Sequence, residues 1–222
     1  MPVLKNPAVV HGSLSISSCQ VCIFGGLKNV ICPQKEAIFS MVSQTAVQFN
    51  SIIAVCKDIF LQKMKDYGTA WRILRVSSIT DQIFIKAQRI RSIEEKGIQR
   101  VAEGVDSEFR GIINYCLIAL IQLEMGNESN LEMSEVEVIR HFDKHVNEAR
   151  KLMEDKNHDY GEAWRGMRTS SMTDLILMKL LRIKQIEDNS GATLISEGVA
   201  ANYYDIFNYA VFALIKIEEE AR

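Results

Sequence analysis

The chain of 222 residues repeats itself, and this repeat constrains the fold more than any other feature. Residues 66–95 align without a gap to residues 159–188, and 17 of the 30 positions are identical. Chance gives about two identities in such a comparison. After a difference of one residue in length, residues 103–124 match residues 197–218 at 10 of 22 positions. The body of the protein is therefore a tandem duplication of a unit of about 90 residues.

The distribution of proline indicates which structure the unit adopts. The three prolines are Pro2, Pro7 and Pro33, so none follows in the remaining chain. Because proline breaks helix interiors and is common in the turns of β proteins, this gap favours an all-helical body. We predict an all-α fold, in which a three-helix unit is duplicated in tandem and packed as a pseudo-two-fold helical bundle.

Helix signals recur at equivalent places in the two units. The segment Ser134–Glu137 has the pattern of a capping box, and Gly68 and Gly161 suit left-handed helix ends. Two further segments, Ser78–Asp81 and Ser171–Asp174, have the acidic form of the box and predict the start of each middle helix. The remaining predicted bounds are residues 43–65 and 134–158 for the first helices and residues 107–125 and 200–220 for the third.

The N-terminal segment belongs to neither repeat. The predicted division is an extension, repeat 1 and repeat 2, at residues 1–40, 41–127 and 128–222. Three cysteines and one histidine in the extension suggest metal, namely Cys19, Cys22, Cys32 and His11. His11 is the only nearby candidate for a fourth ligand and does not lie at a standard zinc spacing, so we expect a poorly ordered extension instead, with Met41 as an alternative start.

Composition excludes several classes of function. The net charge of −2 argues against direct binding of nucleic acid or of an anionic membrane. No run of 18 apolar residues is present to span a bilayer. The five cysteines are odd in number and widely spaced, which argues against a secreted disulfide framework. We therefore expect a cytoplasmic protein.

Polar residues that are identical in both units are the candidates for function. Apolar core positions differ between the copies, so an unchanged polar side chain needs a more specific reason. The candidate pairs are Trp71/Trp164, Lys86/Lys179, Arg89/Arg182, Glu103/Glu197, Asn114/Asn208 and Tyr115/Tyr209.

Helical geometry groups these candidates. Lys86 and Arg89 lie about 60° apart on the middle helix. On a third helix that extends far enough back, Glu197 and Asn208 lie about 20° apart, with Asp205 within about 80°. A carboxylate-and-amide stripe that faces Lys and Arg is typical of a site for Mg²⁺ and phosphate.

Structural roles remain alternatives for each group. Helix capping explains Asp81 and Asp174, and core packing explains the two tryptophans better than base stacking does. The lysines and arginines could form surface ion pairs, and the asparagines could be satisfied core residues. His141 and His145, spaced i and i+4, could bind metal, but we expect an exposed helix face.

The conserved string between the two units resembles a known family. Each unit contains D-Y-G-x-A-W-R, then S-x-T-D-x-x-x-x-K-x-x-R-I and E-G, and the second adds D-x-x-N-Y. This pattern resembles the nucleotide modification associated domain 1 family, present here as two copies. It is more remotely similar to the all-α nucleoside triphosphate pyrophosphatases of the MazG and dimeric dUTPase type.

The second resemblance implies an activity and roles for residues. It implies Mg²⁺-dependent attack of water on a nucleoside triphosphate, with release of pyrophosphate. Glu197 and Asp205 would be metal ligands, and Glu103 the counterpart in repeat 1. Phosphate would bind to the cationic pairs Lys86/Lys179 and Arg89/Arg182. Asn114/Asn208 would orient metal or base, and Tyr115, Tyr209, Trp71 and Trp164 complete the substrate-binding set.

The sequence departs from that pattern in two places. The paired E-x-x-E and E-x-x-D motifs of these enzymes are absent at that spacing, and Asp205 aligns with Gly111. The leading hypothesis is a nucleotide-handling protein that acts on a nucleotide or deoxynucleotide, with Mg²⁺ as cofactor, and the sequence allows a homodimer. The alternative hypothesis is a non-catalytic scaffold or partner-binding module whose repeated polar residues hold the repeats together.

Overall fold

A computed structural model describes residues 33–126, 131–192, 195 and 197–221, with side chains from Gln44 onward. It confirms the all-α class. The helices are α1 (Pro33–Tyr67), α2 (Val76–Lys96), α3 (Val105–Met125), α4 (Glu135–Tyr160), α5 (Thr169–Asp188) and α6 (Val199–Glu220). Short 3-10 turns, Ala70–Ile73 and Ala163–Gly166, precede α2 and α5. None of the helices in the described ranges is long and apolar enough to cross a membrane.

The core is a four-helix bundle made by both repeats. Helices α2 and α3 of the first repeat pack against each other and against α5 and α6 of the second, while α1 and α4 each contact both α3 and α6. Helices α3 and α6 are the most apolar, and side chains such as Phe109, Ile113 and Phe207 are fully buried. Neither repeat buries these faces alone, so the two units share one core.

Ion pairs between α2 and α5 occur in equivalent couples. Lys184 Nζ lies 2.6 Å from Asp81 Oδ1, and the equivalent Arg91 Nη1 lies 3.7 Å from Asp174 Oδ1. Such couples arise when two copies of one helix pack antiparallel about a two-fold axis. The contacts therefore relate the repeats by an internal pseudo-two-fold axis.

Buried hydroxyl groups follow the same symmetry. Thr173 Oγ1 donates to Glu94 Oε1 at 3.1 Å, and the equivalent Thr80 Oγ1 donates to Glu187 Oε1 at 3.2 Å. Thr80 Oγ1 also lies 2.7 Å from the hydroxyl of Tyr203. Burial raises the pKa of both glutamates, against the lowering effect of the threonine hydrogen bonds. These polar contacts fix how one repeat sits on the other.

The prediction that capping boxes start the middle helices is wrong. Helices α2 and α5 begin earlier, at Val76 and Thr169, and neither N-cap residue makes a side-chain capping bond. Asp81 and Asp174 lie within the helices, where they bind a cation of the opposite repeat. Local spacing resembles a cap because the same residue types serve a tertiary contact.

Most of the other helix ends agree with the sequence, but α1 begins at Pro33, before the predicted start at residue 43. Ser134 and Glu137 form the reciprocal capping box, and Gly161 ends α4 at a φ of 60°. Gly68 follows α1 at a φ of 59°. Helix α1 crosses the predicted boundary at residue 41, and the cysteine and histidine of the extension lie outside the described residues. The predicted domain division therefore stays a prediction.

Candidate functional site

The second repeat places cations around one buried carboxylate between α4, α5 and α6. Lys179 Nζ lies 2.5 Å from Asp205 Oδ2, and Lys156 Nζ lies 2.6 Å from Oδ1. Asp205 is 7% exposed, and Arg182 lies one turn after Lys179 on α5. These four residues form what we call the second-repeat site.

Electrostatics tie the carboxylate to its lysines. Burial raises the pKa of Asp205, but hydrogen bonds from Lys156 and Lys179 outweigh it and hold the pKa below its usual range. Burial lowers the pKa of Lys156, and the bond to Asp205 outweighs this effect, so its pKa is raised. Tyr209 borders the site, since its pKa is raised by burial and then by the charge of Asp205. At neutral pH the carboxylate is ionised.

The first repeat has an equivalent arrangement between α2 and α3. Lys86 Nζ lies 3.0 Å from Glu108 Oε2, and Arg89 forms an ion pair with the other carboxylate oxygen. Arg89 also donates to the backbone oxygen of Glu103 at 2.8 Å. The Lys86 ammonium lies 5.9 Å from the centre of the Tyr115 ring. Lys86, Arg89 and Glu108 form what we call the first-repeat site.

Two equivalent asparagines anchor the first helix of each unit. Asn114 Nδ2 donates to the backbone oxygen of Cys56, and Asn208 Nδ2 donates to that of Ala149, both at 3.0 Å. Both side chains are more than nine-tenths buried, and their Oδ1 atoms have no partner in the part of the chain that the structure describes. The two amides thus serve the packing of each first helix against the third helix of its own repeat.

The structure does not gather the predicted metal ligands into one cluster. Glu103 and Glu197 are exposed, although the charge of Glu197 raises the pKa of Lys156. Across the described ranges, no group of three histidine, cysteine, aspartate or glutamate side chains could hold a metal ion. Mg²⁺ commonly takes one or two carboxylates and completes its shell with water and substrate phosphates. The donor set fits only a Mg²⁺ that arrives with phosphates.

A family comparison covers the residues of both sites. The family model of nucleotide modification associated domain 1 matches residues 63–123 and again residues 156–217. The chain belongs to this family. No protein in a search of curated proteins matches the chain, and no solved structure does. The two matched segments of the nucleotide modification associated domain 1 family contain both sites.

Two charged residues of these sites were missed from the sequence. Lys156 contacts Asp205, and its equivalent Lys63 is also a lysine, so identity between the repeats could have identified it. Glu108 aligns with Asn202, so a search for identical polar residues removes it. Only the packing of α3 against α2 reveals that Glu108 pairs with Lys86.

The two tryptophans lie on the 3-10 turns that lead into α2 and α5. Trp164 is 6% exposed and stacks on Phe212, with ring centres 4.2 Å apart and planes 4° apart. The Arg165 guanidinium lies 4.4 Å from the centre of the Trp164 ring. Trp71 is half-buried and packs against the same core. This arrangement favours the packing role over base stacking.

The prediction that His141 and His145 lie on an exposed helix face is wrong. Each is 5% exposed, because α4 packs that face against α3 and α6. Glu124 Oε2 lies 3.0 Å from His141 Nδ1 and 3.0 Å from His145 Nε2. The second contact has unfavourable hydrogen-bond geometry, and His145 Nδ1 lies 2.7 Å from the hydroxyl of Tyr204. Burial lowers the pKa of His145 more strongly than Glu124 raises it.

Glu124 joins the two repeats and predicts an acid sensitivity. Burial raises its pKa, but hydrogen bonds from Lys144 and His141 outweigh it and lower the pKa to about 2. The stabilisation is present above the unfolded value near 4.5 and is lost as the pH falls towards 2. Because Glu124 is partly exposed, we expect its ion pairs to contribute about 1 kcal/mol to the free energy of unfolding at neutral pH.

Chemical denaturation of the wild-type protein and Glu124→Gln between pH 6 and pH 2 measures this effect. The difference in unfolding free energy between the two proteins should shrink as the pH falls below 4.5. A difference that stays constant over this range contradicts the assignment. Glu154→Gln, which removes an exposed i,i+4 pair with Arg150, is the control.

Proposed function

We propose that this protein binds the polyphosphate of a nucleotide at the second-repeat site. The observation that carries the proposal is that two lysines, Lys156 and Lys179, converge on the buried carboxylate of Asp205, while Arg182 lies one turn after Lys179 on the same helix. Cations of this kind in a partly buried setting bind phosphate oxygens through charge-assisted hydrogen bonds. A free nucleotide suits the site better than a nucleic acid, since the whole chain is slightly acidic.

The reaction that we propose is hydrolysis of a nucleoside or deoxynucleoside triphosphate to the monophosphate and pyrophosphate. Its support is a sequence pattern that resembles MazG-type enzymes, together with the charges of the site. Lys179 and Arg182 would hold the phosphates, while Asp205 and Glu197 would hold Mg²⁺ brought by them. The metal would neutralise phosphate charge and acidify a bound water. We place this activity in the cytoplasm.

A second candidate function, a scaffold that binds a partner, is favoured by different residues. Thr80, Asp81 and their equivalents, although unchanged between the repeats, bind across the repeat interface. Their identity is therefore explained by architecture. This explanation does not extend to Lys179, which pairs within its own repeat.

Calorimetric titration with a deoxynucleoside triphosphate and Mg²⁺, together with an assay for released pyrophosphate, tests the proposal. We expect Lys179→Ala to weaken binding at least about tenfold, since it removes a charge-assisted contact. Lys184→Ala is the matched control, because this lysine lies on the same helix but pairs with Asp81 at the repeat interface. The control should change affinity less than about twofold.

The outcomes separate the two candidate functions. Binding without pyrophosphate release supports the site and contradicts the hydrolase. No binding of canonical or modified nucleotides by the wild-type protein contradicts the proposed function and leaves the scaffold. Equal weakening by Lys179→Ala and Lys184→Ala contradicts a local site.

A further inference from the structure

The two sites differ in where the third helix carries its carboxylate. In α3 the carboxylate is Glu108, and the position one turn later is Gly111. In α6 the equivalent positions are Asn202 and Asp205. The carboxylate has thus moved by three residues, which is about one helical turn. This displacement changes which cations it neutralises.

In the first-repeat site, Glu108 engages both Lys86 and Arg89 of α2. It is 5% exposed and accepts from Lys86 at 3.0 Å and from Arg89. The Lys86 side chain lies across Gly111, where an added Cβ would be 2.9 Å from Lys86 Cε. Arg89 is held further by the backbone oxygen of Glu103. Because Glu108 takes both, neither Lys86 nor Arg89 is available to an external anion.

In the second-repeat site, the displaced carboxylate leaves the arginine of α5 out of the pair. Asp205 accepts from Lys179 and from Lys156 on α4. Arg182, the equivalent of Arg89, makes no hydrogen bond or ion pair with any residue in the described ranges. Asn202 replaces Glu108 and is fully buried, and its Oδ1 has no partner in the same ranges. At the helix positions equivalent to Arg89 and Glu108, the second repeat thus has an arginine outside the pair and an asparagine in place of the carboxylate.

We infer that each chain binds one polyphosphate, in the second repeat, and that Glu108 occupies the first-repeat site as an internal substitute for the anion. The inference rests on the proposed function and adds its stoichiometry and the residue that sets it. An ionised carboxylate and a phosphate oxygen compete for the same lysine and arginine donors. Glu108 takes both Lys86 and Arg89, whereas Asp205 pairs with two lysines and leaves Arg182 for an external phosphate.

Calorimetric titration of the full chain with inorganic tripolyphosphate, without metal, tests the inference. We expect one site per chain in the wild-type protein. Lys179→Ala should lose at least about tenfold in affinity, and Lys86→Ala should keep both the stoichiometry and the affinity within about twofold. Glu108→Asn, which copies the second repeat, should raise the stoichiometry to two. Glu108→Gln keeps a hydrogen-bond acceptor and serves where Glu108→Asn melts below the titration temperature.

Each result has one meaning. Two sites in the wild-type protein, or equal losses in Lys86→Ala and Lys179→Ala, overturn the inference but keep the proposed function. A stoichiometry of one tripolyphosphate per chain in both folded Glu108 variants also overturns the inference, because Glu108 then does not block the first-repeat site. No heat from any of these proteins contradicts the proposed function and, with it, the inference.

Discussion

Replacement of Trp164 by alanine is expected to lower the free energy of unfolding by about 3–5 kcal/mol. The residue is 6% exposed and stacks on Phe212, so the substitution removes a large buried surface and an aromatic pair. It also removes the ring beneath the Arg165 guanidinium. Denaturant unfolding followed by circular dichroism measures the change.

The equivalent substitution, Trp71→Ala, provides an internal control. Trp71 occupies the same place in the first repeat but is only half-buried, so we expect roughly half the loss. If Trp164→Ala weakened nucleotide binding with little loss of stability, the packing role would be contradicted. That result would restore the prediction that this ring stacks on a base.

Replacement of Asp205 by alanine is expected to lower the free energy of unfolding by about 2 kcal/mol at pH 7. The substitution leaves Lys179, whose side chain is 12% exposed, without its counter-charge. Breaking a fully buried pair costs about 3–5 kcal/mol, and the loss is smaller here because Lys156 is half-exposed and turns to water. Asp143→Ala is the control, since it breaks a more exposed pair with Lys57 and should cost less than about 1 kcal/mol.

The same variant separates binding from chemistry. Without the carboxylate, both lysines are free for phosphate, so the affinity for tripolyphosphate should stay equal or rise. Pyrophosphate release should be lost, because Asp205 is a proposed ligand of Mg²⁺. Weaker binding of tripolyphosphate by a folded Asp205→Ala protein contradicts the view that this carboxylate competes with phosphate.

Much of the fold follows from local sequence. The duplication and the absence of proline predict six helices, and the predicted bounds of α3, α4 and α6 lie close to those observed, since backbone propensity acts within a few residues. The capping box at Ser134 is a local hydrogen-bond pattern, and it forms as predicted. The acidic boxes at Ser78 and Ser171 do not, because Asp81 and Asp174 find partners more than 80 residues away.

The candidate site divides along the same line. Identity between the repeats selects Lys179 and Asn208, whose contacts lie within their own repeat. The same criterion does not select Glu108, because the equivalent carboxylate of the second repeat, Asp205, lies one helical turn further along. Identity between the repeats does not detect a carboxylate that occupies different positions in the two copies.

The histidines show what burial decides. An i,i+4 pair of histidines on a polar helix predicts a solvated face, and no local signal distinguishes such a face from a buried one. Helices α3 and α6 cover His141 and His145, and Glu124 and Tyr204 supply their partners. In the first repeat, Gln48 stands at the position of His141 and binds Glu219 and Arg165 of the other repeat, whereas Ile52 stands at the position of His145.

By itself, the sequence determines that this protein is a helical unit made twice, and it identifies the family whose pattern both units carry. Tertiary structure alone decides which repeated side chains hold the units together and which carboxylate neutralises which cation. It also decides which arginine lies outside these ion pairs. The physical reason is range. Helix formation and capping depend on neighbours along the chain, whereas charge pairing and burial depend on side chains that only packing brings together.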